Sequence, residues 1–240
     1  MPRRMAKSER RKSARTRRGI LTRPLDALMF LLPLIIFYEV VSGARQGRVI
    51  AFDLLRQFLL MFGHVGLWAP GLAVILILLA THVASGERWV VHWREVGFMY
   101  LEAVVLAAPL LVLYLVIPLA ASPSQPPILL SEIAMSIGAG IYEELVFRLA
   151  LITLIVLVGT DILRLRPGPV AAAAILLSSL AFAAHHHPPM GAEPFLFSRF
   201  LFRTFAGAYL AVVFWYRGYG PAAGCHAAYN VALITWHSLE

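Results

Sequence analysis

Long apolar stretches separated by short polar stretches form the dominant pattern of the chain. Seven of these stretches approach or exceed the ~20 residues that an α-helix needs to cross a bilayer. They lie near residues 25–42, 68–84, 97–120, 128–160, 168–187, 194–216 and 221–238. An eighth, 50–64, is interrupted by Asp53 and Arg56 and predicts either an interfacial amphipathic helix or a poorer span. The pattern predicts an all-α fold, a polytopic transmembrane bundle of about seven or eight spans.

Composition supports the same fold class. Of 240 residues, 60% are hydrophobic and only 14% are charged, whereas a soluble domain usually carries about a quarter charged residues. The chain has a single cysteine, Cys225, which excludes an internal disulfide framework and any metal site built from several cysteines.

The net charge of +8 is concentrated at the start of the chain, where residues 1–23 hold ten Lys or Arg and one acid, Glu9. Such a run resembles a nucleic-acid tail by composition, but here it leads directly into an apolar stretch. The positive-inside rule therefore predicts a disordered cytoplasmic tail that contacts anionic lipid head groups, with no nucleic-acid partner. A cleaved signal peptide ending at Ser42–Ala44 is the alternative. Residues 24–240 are predicted to form one transmembrane helical domain.

Three charged residues lie close together within the apolar stretch 128–160, in the sequence "GIYEELVFRLAL". A charge at mid-bilayer costs about 2.5–3.5 kcal/mol, so each needs a partner. Glu144 and Arg148 are four residues apart and can pair on one helix face. Glu143 points about 100° away and has no partner on its own helix. Burial raises the pKa of such a carboxyl, which makes Glu143 a candidate general base. The small residues Gly138 and Gly140 predict close approach of other helices.

Two later stretches also carry polar side chains. In "SSLAFAAHHHPP" the helical period places His186 on the stripe of Ser179 and Phe182, whereas its two neighbouring histidines are expected near the polar helix end. In "GCHAAYN", His226 and Asn230 share one helix face.

These residue types fit more than one chemistry. A carboxylate beside an imidazole can activate water, and donors on a third helix can stabilise an oxyanion. Glu143, His186 and His226 are equally suitable as zinc ligands. A proton- or ion-coupled transporter also uses buried Glu, His and Arg, but it favours repeated halves, and no internal repeat is evident. A non-catalytic membrane scaffold is the remaining alternative.

The three polar motifs resemble those of the CPBP family (CAAX proteases and bacteriocin-processing enzymes, also called Abi). "EELVFR" fits the family's EExxxR, "FAAHH" fits FxxxH and "HAAYN" fits HxxxN. The resemblance extends over residues 95–238 and is specific because all three motifs occur in order on three apolar stretches. It implies an intramembrane endopeptidase with its catalytic core at about 128–238, acting on a membrane protein or peptide.

The resemblance also implies roles for individual residues. Glu143 and His186 would activate water, and His226 and Asn230 would stabilise the oxyanion. Glu144 and Arg148 complete the family's set of site residues. No cofactor is implied by this mechanism, with zinc as the alternative. His185 or His187 would replace His186 if the helix were shifted by one residue. By analogy, the protein would reside in a bacterial inner membrane with its N-terminus in the cytoplasm.

Two features need the structure for their interpretation. His186 falls late in its helix and His226 early in another, so straight helices would hold them at different depths. A tilted or broken helix, or a deeper start of the last helix, would bring them together. Arg199 and Arg203 are four residues apart near the histidines. They are expected either to reach lipid head groups or to bind an anionic group of a substrate.

Overall fold

The computed structural model describes residues 23–43, 68–117, 129–191 and 193–239. These residues form seven helices and no strand. The helices are α1 (Pro24–Gly43), α2 (Ala69–Ser85), α3 (Trp93–Val116), α4 (Leu129–Ile162), α5 (Pro167–Ala184), α6 (Phe197–Arg217) and α7 (Tyr219–His237). The all-α helical membrane bundle is therefore confirmed. The predicted stretch 50–64 and the tail up to residue 22 lie outside the described residues, and the domain boundaries stay a prediction.

Five of the described helices are long and apolar enough to cross a membrane: α1, α3, α4, α5 and α6. Helix α2 is apolar but has only 17 residues. Helix α7 has 19 residues and is not among the five, because His226, Asn230 and its Gly and Tyr residues lower its mean hydropathy.

Cross-helix contacts fix the directions of α3 and α6. Arg217, at the end of α6, donates hydrogen bonds to Glu102 near the start of α3. At the other end of the pair, the Tyr114 ring meets the Phe202 ring edge-on. The two helices therefore run antiparallel.

The first half of helix α7 lies inside the bundle. Every residue from Tyr219 to Ala227 is buried. The glycines of this segment allow close packing, since a Cβ at Gly224 would lie 2.6 Å from the ring of Phe30 in α1. Gly218 alone connects α6 to α7, with φ 86° and ψ −176°, a conformation that is essentially restricted to glycine. The turn between α6 and α7 is thus made by a buried glycine.

Helix α4 is continuous over 34 residues but contains wide, π-type turns at Leu145–Ile152 and Leu157–Ile162. Within the first of these, the carbonyl of Phe147 accepts a hydrogen bond of 2.7 Å from the Ser178 hydroxyl of α5. Wide turns of this kind are frequent at functional sites. Here the wide turn contains Arg148 and directly follows the two glutamates.

Candidate active site

Arg148 lies fully buried at the centre of the bundle, 0% exposed. Its Nε is 3.1 Å from Glu144 Oε2, an ion pair rather than a well-aligned hydrogen bond. Its Nη2 donates to the carbonyl of Gly207 in α6 at 3.1 Å, and its guanidinium stacks on the Phe182 ring with 4.4 Å from Cζ to the centroid. A buried charge is tolerated only with such partners. Arg148 therefore joins α4, α5 and α6 at one point.

Glu144 uses its second oxygen to hold a histidine from α7. His226 Nδ1 lies 2.9 Å from Glu144 Oε1. Since an ionised carboxylate only accepts hydrogen bonds, this contact places a proton on Nδ1 and turns Nε2 towards Glu143. His226 Nε2 lies 3.8 Å from Glu143 Oε2. Glu144 thus orients both Arg148 and His226.

Two histidines after the end of α5 face Glu143 from the other side. The Nδ1 atoms of His185 and His186 each lie 2.8 Å from the carbonyl oxygen of Phe182. A carbonyl accepts, so both rings carry the proton on Nδ1 and leave Nε2 for other partners. His185 Nε2 lies 3.7 Å from Glu143 Oε1. Glu143 has no partner on its own helix, but imidazoles of two other segments flank it.

The structure brings together five of the six residues singled out from the motifs: Glu143, Glu144, Arg148, His186 and His226. Asn230 lies one turn after His226, half-buried, and its side chain makes no hydrogen bond to another described residue. His185 joins the group, although its sequence position favoured the polar helix end. His187 turns away, because its Nδ1 lies 3.1 Å from the backbone carbonyl of Glu193 and its ring packs on Phe195.

The expected depth mismatch between the histidines does not arise. The rings of His186 and His226 both contact Phe182, with centroid distances of 5.1 and 5.7 Å. Because α7 starts inside the bundle, a residue about two turns into it already reaches the level of the α5 terminus. The buried start of α7 supports a deeper start of the last helix.

The donor set also fits a metal ion. Glu143, His185 and His186 offer one ligand atom each within 4.8 Å of one another. Carboxylate and imidazole are ordinary zinc ligands, and Nδ1–H donation to a carbonyl is the usual support for a ligating histidine. This set contains His185 in place of the His226 expected from the sequence.

A second charged cluster lies next to the histidines. Glu193 Oε1 accepts a 2.6 Å hydrogen bond from Arg199, and its other oxygen pairs with Arg203. Burial alone raises the pKa of Glu193, but the two guanidiniums outweigh this effect and lower the pKa. Glu193 is therefore a carboxylate at neutral pH.

Sequence reasoning did not predict three further contacts: the Ser178 hydroxyl with the Phe147 carbonyl, the Gly207 carbonyl with Arg148, and the Tyr219 hydroxyl with α4. Tyr219 donates to the Ile141 carbonyl at 2.9 Å and so fixes the start of α7 against α4. A buried Tyr at the first position of a helix was the one available signal. The carbonyl partners leave no signal in the side-chain pattern.

Fold and site together define a class: a helical membrane bundle that encloses two carboxylates, an arginine and imidazoles suited to acid–base chemistry. The model of the family "Type II CAAX prenyl endopeptidase Rce1-like" matches residues 125–232, a segment that contains the whole candidate site. The resemblance to the CPBP/CAAX protease family is thereby confirmed. The match supports a protease, and with the five apolar helices it supports an integral membrane protein. Neither the curated proteins nor the solved structures compared with the chain give a match.

Proposed function

We propose that the protein is an intramembrane endopeptidase that hydrolyses a peptide bond of a membrane-anchored or leader-bearing protein with water activated by Glu143. The observation that carries the proposal is the convergence of imidazoles on this one buried carboxylate. The separations of 3.7 Å to His185 and 3.8 Å to His226 exceed hydrogen-bond length and suit a bridging water.

In this mechanism Glu143 takes a proton from the attacking water, and Nε2 of His185 or His186 orients the water. The oxyanion that forms accepts a hydrogen bond from His226 Nε2. That donation needs a proton on Nε2 as well, because the proton on Nδ1 already faces Glu144. Asn230, on the same face of α7, supplies a second donor. Glu143 then returns its proton to the leaving amine.

A zinc-dependent protease is the second candidate, because Glu143, His185 and His186 form a suitable donor set. Zinc held there would act as a Lewis acid on the peptide carbonyl and would lower the pKa of bound water. The glutamate route is preferred because the motifs match a family whose mechanism is glutamate-based. The position of His226 Nε2 beside Glu143 is used directly in that route.

Comparative membrane proteomics tests the function in cells and requires no candidate substrate. Cells expressing the wild-type protein are compared with cells expressing Glu143→Gln, since an amide does not accept the proton. We expect one or a few membrane proteins to persist in uncleaved form only with Glu143→Gln. Identical membrane proteomes, with both proteins present at equal level, would refute the proposal.

A further inference from the structure

The cluster of Glu193, Arg199 and Arg203 is built like a binding site for a carboxylate. One carboxylate is held by two guanidiniums, each pairing with a different oxygen. The side chains are largely shielded from solvent, with exposed fractions of 22% for Glu193, 11% for Arg199 and 22% for Arg203. Charge-assisted hydrogen bonds of this kind are the strong ones, and shielding reduces their screening by salt.

The two arginines lie on the face of α6 that points towards the candidate active site. Arg199, Arg203 and Gly207 follow one another at four-residue spacing and share that face. A Cβ on Gly207 would lie 3.1 Å from the Phe182 ring, so this face packs on α5. His186 lies four residues after Phe182, just past the end of α5, and Arg203 lies one turn before Gly207 on α6. Since α5 and α6 run antiparallel, Arg203 lies at the level of His186.

Glu193 reaches the arginines from the connection between α5 and α6, not from a helix. Its N–H donates to the His186 carbonyl at 3.2 Å, and its own carbonyl accepts from His187 at 3.1 Å. The carboxylate is thus tied by backbone to the segment that carries the site histidines. For another carboxylate to replace Glu193 at the arginines, only the connection between α5 and α6 has to move. Both arginines stay in place on α6.

We propose that Arg199 and Arg203 form a carboxylate-binding subsite beside the candidate active site, and that Glu193 occupies it until a carboxylate of the peptide substrate replaces it. The identity of the ligand as substrate depends on the proposed function. The carboxylate belongs either to the C-terminus of the peptide or to an acidic side chain.

The alternative expectation for these arginines was contact with lipid head groups. Their low exposure and their shared carboxylate partner favour the subsite, because a side chain that reaches head groups keeps its charged end exposed.

Peptide binding tests the subsite directly. The Glu143→Gln protein in nanodiscs is titrated with fluorescent, S-farnesylated peptides, and the dissociation constant is measured by anisotropy. Four peptides distinguish the two sources of the carboxylate: free acid against C-terminal amide, and internal Asp against internal Asn. We expect one charged peptide to bind about tenfold more tightly than its neutral counterpart. Arg203→Gln should abolish this preference.

Arg217→Gln is the matched control, because Arg217 also belongs to α6 and also pairs with a glutamate, Glu102, but near the other end of the helix. It should leave the preference unchanged. Glu193→Gln should tighten binding of the charged peptide only, since the internal competitor has lost its charge. Equal affinities for charged and neutral peptides would contradict the proposal.

A second measurement covers the case in which no peptide binds. Acetate, compared with chloride at equal ionic strength, should raise the Tm of Glu193→Ala by filling the emptied subsite. It should not do so for Glu193→Ala combined with Arg203→Gln. Absence of any acetate effect would overturn the subsite. Failure of the proposed function is distinguishable: wild-type protein would then leave every peptide intact while the charge preference persisted.

Discussion

Arg148 is the residue at which stability and chemistry are most closely joined. It pairs with Glu144, donates to Gly207 and stacks on Phe182, so three helices depend on one guanidinium. Through Glu144 it also influences the position of His226. It touches no reacting group itself and is a positioning residue.

Replacing Arg148 with Ala should therefore lower stability and turnover together. Loss of one partner of a buried ion pair costs about 3–5 kcal/mol, because Glu144 is left buried without its arginine partner. The Tm in detergent and the rate of peptide cleavage measure the two effects. Arg94→Ala is the control, since Arg94 also lies over a ring, that of Phe98, but is exposed. A wild-type Tm and turnover for Arg148→Ala would contradict this account.

The three consecutive histidines provide a second prediction at the residue scale. Because Nε2 of His185 or His186 orients the water, at least one of His185→Ala and His186→Ala should reduce kcat by about 10²–10⁴, the range of acid–base catalysis. His187→Ala should keep kcat near wild type, because its ring packs on Phe195 away from Glu143. The comparison is made by measuring kcat for peptide cleavage with each of the three purified variants. Equal losses in all three would contradict the placement of the rings.

Sequence patterns were informative for side chains within helices and failed at a helix end. The spacing of four residues predicts the contact of Glu144 with Arg148, and the structure places their atoms 3.1 Å apart. The helical pattern did not place His185 in the site, because α5 ends at Ala184 and helical spacing no longer applies beyond it. The two following rings turn back to the Phe182 carbonyl, one of the acceptors that a helix terminus leaves open.

At the scale of elements, the contact between α4 and α7 sets the position of His226 relative to Glu143 and Glu144. Gly140 faces Ala227, and a Cβ at Gly140 would lie 2.6 Å from the Ala227 backbone nitrogen. The expected close approach at Gly138 and Gly140 is confirmed, since Gly138 packs in the same way on Tyr38 of α1. No side-chain movement relieves a clash with backbone.

Gly140→Ala should consequently push α7 away from α4 and move His226 relative to Glu144. We expect a loss of about 1–3 kcal/mol in unfolding free energy, typical of overpacking, together with reduced turnover. Gly97→Ala serves as the control, because a Cβ at Gly97 meets nothing within 4 Å. That change should be neutral or stabilising by up to about 1 kcal/mol. Equal stability of the two variants would argue against the close α4–α7 contact.

The hydrophobic pattern predicted the described helices to within a few residues, but not the wide turns of α4. Residues Leu145–Ile152 contain neither Pro nor Gly, and they read as an ordinary apolar helix. The wide turn is stabilised by another helix, since the Ser178 hydroxyl of α5 donates a hydrogen bond to the Phe147 carbonyl. A hydrogen bond from another helix has no signature in the local sequence.

For the molecule as a whole, the central position of α7 explains how a polar site is kept within apolar helices. Five helices are long and apolar enough to cross a membrane, while the buried start of α7 carries His226 into the interior. The charged groups thus meet protein rather than hydrocarbon, which avoids most of the insertion cost.

Metal removal separates the glutamate route from the zinc route. We expect purified active protein to keep its turnover after treatment with a strong chelator. Asn230→Ala should retain the fold but lose about 10²–10³ in kcat, as expected for one oxyanion donor. Zinc bound in equimolar amount, with activity lost on chelation and restored by zinc, would instead establish Glu143, His185 and His186 as ligands.

The most direct test of the central claim is cleavage of a membrane-anchored peptide by purified protein in liposomes, followed by mass spectrometry. Wild-type protein should release a defined product, and Glu143→Gln should release almost none at an unchanged Tm. Glu132→Gln, on the same helix and outside the site, should cleave like wild type. Wild-type turnover by Glu143→Gln would contradict the claim that this carboxylate activates the water.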